Sequence, residues 1–120
     1  QGALGLETRA DDAAVHRALK PLDDPASHRA VLAERAVLAA LRGGCLAPVG
    51  VLGRCEGPRL KLRARVLDPD GRRAVEAAVE GLAEGALDLA QRLTETLLAD
   101  GAAELIAAGR AARDDRAEPA

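Results

Sequence analysis

The stretch from residue 59 to residue 80, "RLKLRARVLDPDGRRAVEAAVE", decides how this chain folds. Leu60, Leu62, Ala64 and Val66 alternate with Lys61, Arg63 and Arg65. A period of two places the apolar set on one face of a strand and the cations on the other. "DPDG" at 68–71 follows, with proline and glycine where a tight turn accepts them. "RRAVEAAVE" then returns as a further strand, with Val75, Ala77 and Val79 opposed to Glu76 and Glu80. Upstream, "VGVLGRC" reads as a strand over about 48–55, and "EGP" as the turn into the next. Three antiparallel strands result.

Helical periods flank them. Asp24 followed by Pro25 is a strong start signal, a side-chain cap with proline at the first helical position. The helix is predicted from Pro25 to Leu41 or Arg42, with Ala30, Ala33, Val37 and Leu41 along one stripe, widened by Val31 and Leu38. Glu34 falls inside that stripe, so it needs the rim or a partner. Gly43 is placed to take the positive φ that ends a helix. On the other side, Leu89, Leu93 and Leu97 define a helix over about 86–99, closed by Gly101. A last helix is predicted over 102–112, followed by a charged tail, 114–120. At the start, 3–9 reads as a strand, and Asp11 or Asp12 caps a short helix that runs to about Lys20, before Pro21. The fold class is α+β: a three-stranded antiparallel sheet with helices packed on one face, preceded by a strand and helix that belong to a second domain. The expected divisions are 1–24, the end of that domain and a linker; 25–113, the C-terminal domain; and 114–120, a flexible tail.

Composition narrows the function. The chain has 120 residues, 48% hydrophobic and 30% charged, with no Phe, Trp, Tyr or Met. Its core must be Leu, Val and Ala, without the large buried areas that rings supply. A net charge of -2 and the missing aromatics argue against nucleic-acid binding. No apolar run approaches a membrane span, and no secretory signal is present. Cys45 and Cys55 are then expected to be free thiols in a cytoplasmic protein. The abrupt start at Gln1 suggests a piece of a longer protein.

The chemistry-bearing candidates are few. Cys45 lies in "GGCLAPVG" (43–50), just after the predicted helix. It is either a small buried filler or a nucleophile that the glycines hold out for attachment. A helix C-terminus does not favour a thiolate, so any activation must come from cations elsewhere. His16 and His28 show no metal-ligand spacing with the cysteines, and no metal site is expected. The Lys61, Arg63, Arg65 stripe either binds an acidic ligand or pairs with Glu76 and Glu80 across strands.

Taken together, "QGALGLETR", "LAERAVLAALRGGCLAPVG", "LRARVLDPDGRRAV" and "ALDLAQRLTETLLADGAAELIA" resemble the C-terminal portion of the hydroxymethylbilane synthase (porphobilinogen deaminase) family over Gln1 to about Arg110. The resemblance implies the end of a second domain plus a whole third domain. It implies a transferase of tetrapyrrole and haem biosynthesis, whose substrate is porphobilinogen and whose full-length form is a monomer. By resemblance, Cys45 carries a dipyrromethane cofactor through a thioether, and Gln1 and Gly2 lie beside that cofactor. The family's catalytic aspartate and most of its carboxylate-binding arginines belong to the other two domains, so this segment alone is expected to be inactive. Leu46 and Ala47 depart from the family pattern, and Cys55 has no counterpart role. The competing reading is a non-catalytic α+β binding or regulatory module with Cys45 buried. A thiol-redox role lacks a C-x-x-C motif.

Overall fold

The computed structural model describes residues 2–42 and 47–117. The order is α1 (Ala13–Leu19), α2 (Pro25–Ala40), β1 (Val49–Glu56), β2 (Arg59–Leu67), β3 (Ala74–Leu82), α3 (Ala86–Ala99) and α4 (Ala102–Ala117), with short 3-10 turns at Lys20–Leu22 and Ala83–Gly85. The strands form one antiparallel sheet, β1-β2-β3. This is the α+β arrangement expected.

The alternation in β2 sets the layers. Leu60, Leu62, Ala64 and Val66 are buried, while Arg59, Lys61, Arg63 and Arg65 are exposed. Val49, Val51 and Cys55 of β1, and Val75, Ala77 and Val79 of β3, extend the inner face. Against it lie Ala30, Ala33 and Val37 of α2, Leu89, Leu93 and Leu97 of α3, and Leu105 and Ile106 of α4. β1 joins β2 through a two-residue Gly57–Pro58 turn, with Glu56 opposite Arg59. The β2–β3 connection is longer than the sequence suggests: β3 begins at Ala74 rather than Arg72. Asp68 causes this by drawing the turn inward. Its Oδ1 accepts from the Arg72 N–H at 2.7 Å, and its N–H donates to the Arg73 carbonyl at 3.0 Å.

Caps fix the helix starts. The Asp24 carboxylate accepts from the Ser27 hydroxyl at 2.5 Å and the Ser27 N–H at 3.3 Å. These bonds, the hydroxyl's first, hold its pKa below the ordinary 3.8. Asp12 caps α1 by accepting from the Val15 N–H at 3.1 Å. α1 itself buries no residue. Residues 3–9, read as a strand, take no regular structure, because a strand needs a neighbour to bond and none pairs with them among the described residues. α4 passes the boundary expected after Arg113 and continues to Ala117, with no helix breaker before Pro119.

Leu93 is fully buried between the sheet and α2, whereas Leu87 on the same helix is 65% exposed. Replacing Leu93 by Ala is expected to cost about 2–5 kcal/mol, and replacing Leu87 by Ala less than about 0.5 kcal/mol. Urea unfolding of the two variants beside the parent chain measures both.

Candidate functional site

Cys45, with Gly43, Gly44 and Leu46, lies outside the described residues, as does Gln1. The segment that bears Cys45 is therefore characterised by its two stems. The leading stem is the end of α2. Leu41 is buried and donates its N–H to the Val37 carbonyl at 3.0 Å. Arg42 then takes a positive φ of 51°. Gly43, to which the sequence assigns that conformation, lies outside the described residues; the arginine before it adopts it at a cost on the order of 1 kcal/mol. The Arg42 carbonyl accepts a hydrogen bond from the Arg110 guanidinium of α4. The returning stem is Ala47 and Pro48. The Val49 N–H turns back to the Ala47 carbonyl at 2.8 Å, and the Leu67 N–H donates to the Pro48 carbonyl at 2.9 Å.

Below the stems, α2 and β1 are locked together. Glu34 is buried, and its Oε1 accepts from the Gly53 N–H at 2.7 Å. β1 is an edge strand, so this amide faces away from β2 and would otherwise lack a partner in the fold. The partner that the helical stripe demanded for Glu34 is thus a backbone group. Gly53 is needed for the approach: a Cβ there would sit 3.1 Å from Leu62 Cδ2 and 3.2 Å from the Ala30 Cβ and carbonyl oxygen.

The other candidates are dispersed. Gly2 is exposed, and a Cβ added there would meet nothing within 4 Å. Cys55 is half-buried, and its Sγ donates to the Ala26 carbonyl at 3.3 Å. His16 Nε2 lies 2.9 Å from Thr8 Oγ1 and 3.0 Å from the Arg9 carbonyl; His28 Nδ1 lies 3.3 Å from Asp23 Oδ1. Among the described residues, no group of three or more His, Cys, Asp or Glu side chains could hold a metal ion. No helix there is long and apolar enough to cross a membrane.

On the open sheet face, Arg65 pairs with Glu76, Arg59 with Glu80 at 2.6 Å, and Lys61 with Glu56 at 3.2 Å. Register puts Lys61 opposite Glu80, yet Glu80 reaches diagonally to Arg59. That hydrogen bond holds Glu80 below its ordinary 4.5. Arg63 faces Leu52 and Ala78 and makes no ion pair among the described residues. The cationic stripe is therefore mainly a paired, solvated face.

The model of the porphobilinogen deaminase C-terminal domain matches residues 28–99, which run from α2 through α3. The chain belongs to the porphobilinogen deaminase family. It is 44% identical over 118 residues to a porphobilinogen deaminase of Pelotomaculum thermopropionicum, covering 98% of this chain and 37% of that protein. It is 45% identical over 111 residues to one from Desulforudis audaxviator (92% and 36%), and 45% over 112 residues to one from Acidothermus cellulolyticus (90% and 34%). The chain thus spans little more than a third of the length of these relatives.

The Glu34–Gly53 bond has a direct test. Glu34→Leu leaves the Gly53 N–H buried without an acceptor and is expected to cost about 1–3 kcal/mol, whereas Glu34→Gln keeps an acceptor oxygen and costs less. Equal losses in urea unfolding of the two variants would show that the bond contributes nothing.

Proposed function

We propose that this chain is the C-terminal part of a transferase that joins four porphobilinogen units into hydroxymethylbilane, a step of tetrapyrrole and haem biosynthesis, and that Cys45 carries its dipyrromethane cofactor. Family membership together with "GGC" between α2 and β1 carries the reading. The described stems fit such a group. Leu41, Arg42, Ala47 and Pro48 include one cation and no carboxylate, which suits a ligand bearing acetate and propionate groups.

In this reading Cys45 holds the cofactor through a carbon–sulfur bond, a durable anchor that keeps it at high local concentration. When bound, dipyrromethane supplies the free pyrrole end to which each unit is added with loss of ammonia. Both stems are held: α2 is pinned to β1, and Pro48 is tied to β2. Gln1 and Gly2 would lie on the cofactor side, and exposure of Gly2 leaves room for close approach. Residues 1–24 would close a preceding domain, with 25–113 as the C-terminal domain and 114–120 its tail. Support comes from α1, which buries nothing, and from Leu4 and Leu22, 94% and 69% exposed. The full-length protein would act as a cytoplasmic monomer.

Intact mass of the full-length protein tests the anchor. Wild type and the control Cys55→Ser are expected to carry an added mass of two linked pyrroles, while Cys45→Ser carries none. Equal loading of the two serine variants would overturn the assignment, and no added mass in any of the proteins would favour a non-catalytic module. The 120-residue chain by itself is expected not to consume porphobilinogen; turnover by it would mean that the proton-handling groups lie within it.

A further inference from the structure

α4 contacts both Arg42 and Pro48, on either side of residues 43–46, in a way that the anchoring reading does not require. Two consecutive residues of α4 reach the two stems. Arg110 donates from its guanidinium to the Arg42 carbonyl on the leading side. Gly109 lies under Pro48 on the returning side, where an added Cβ would sit 3.2 Å from Pro48 Cδ and 3.4 Å from Cγ. Contact that close requires glycine or a displaced proline. Gly109 stands inside a helix, where glycine is a poor helix former, so the approach of Pro48 accounts for its presence. Both residues lie beyond the 28–99 segment matched by the C-terminal-domain model.

We propose that Gly109 and Arg110 are positioning residues: one turn of α4 braces Arg42 and Pro48, the two stems of the segment that bears Cys45, and loading of the anchor depends on that brace. The inference rests on the anchoring role of Cys45 for its consequence, but not for its geometry. Arg110 also satisfies the carbonyl of the one non-glycine residue with positive φ among those described, which keeps α2 from continuing. Pro48 is held on its other side by the Leu67 N–H, so displacement from Gly109 is transmitted to that bond.

The test uses the full-length protein as wild type, Gly109→Ala, Arg110→Ala and Arg110→Lys. Amide hydrogen exchange at Val49 and Leu67 reports the returning stem, and intact mass reports the fraction carrying the added pyrroles. Exchange at those two amides is expected to quicken about threefold or more in Gly109→Ala and Arg110→Ala, with Leu62 and Leu93 amides unchanged. The loaded fraction is expected to fall by a similar factor, about threefold. Arg110→Lys, which keeps a cationic donor, should recover most of both. Alanine is the better helix former, so Gly109→Ala should keep or raise the melting temperature while loading falls, a split that a merely structural role would not give. Wild-type exchange at Val49 and Leu67 in both alanine variants would overturn the brace, as would a uniform rise across the core in step with a lower melting temperature. Absence of the added mass from wild type would instead overturn the role of Cys45, with the exchange result still deciding the brace.

Discussion

Close approach between helices and sheet is the constraint on which this fold depends. A core without a single aromatic ring cannot fill a wide gap between layers, so backbone must come near backbone. Where α2 crosses β1, a Cβ on Gly53 would sit 3.2 Å from the Ala30 Cβ and carbonyl oxygen, tighter than ordinary contact, and Glu34 bonds the Gly53 N–H from one turn further on. Where α3 crosses β3, a Cβ on Gly81 would fall 2.8 Å from Leu89 Cδ2. Small residues on the strands thus receive the helices, and leucines from β2 and α3 fill what remains. The same rule reappears at α4, where Gly109 admits Pro48. Only at Gly53 does the added atom meet helix backbone, so a larger residue there would press on α2 itself, whereas at Gly81 it would meet the flexible end of Leu89.

Much of this was legible because its causes are local. Asp24 and Pro25 announce α2, and the start of that helix is where they place it. The alternation of β2 identifies every buried residue of that strand, and α3 runs between the limits that its leucines and Gly101 suggest. The errors fall where a distant group decides. Arg42 adopts a glycine-like φ with support from Arg110, sixty-eight residues away. β3 starts late because the Asp68 side chain extends the turn. Glu34 was recognisable as a charge that needed a partner, but nothing local identifies that partner as the amide of Gly53. The glycine in "LIAAGRAAR" was a signal that could have been used: glycine in the middle of a helical pattern indicates a close neighbour without naming it.

The candidate site was legible in motif more than in geometry. "GGC" and its flanking helix carried the expectation for Cys45, which lies outside the described residues, while family membership stands on 28–99. The supports around that position are hydrogen bonds and packing among α2, β1, β2 and α4, which no spacing rule encodes. Arg110 lies in a helix whose sequence reads as alanine-rich and unremarkable in charge, and its partner is a main-chain carbonyl rather than an acid. Charge pairing along the sequence therefore gave no hint of it.

The location of Cys45 also separates two kinds of cysteine chemistry. A thiol that attacks repeatedly benefits from a lowered pKa, as at a helix N-terminus or beside a base. In sequence, Cys45 comes after α2 rather than at a helix N-terminus. What the surroundings supply instead is restraint on both sides: Arg42 through its carbonyl, Pro48 through its ring and its carbonyl, and α2 itself through Glu34. That suits the anchoring role proposed for Cys45. Cys55 shows the contrast within the same chain. It is half-buried in β1, and its Sγ donates to the Ala26 carbonyl. The contrast is in the backbone: Cys55 lies within a paired strand, whereas the stems on either side of residues 43–46 are held by contacts from α4 and β2.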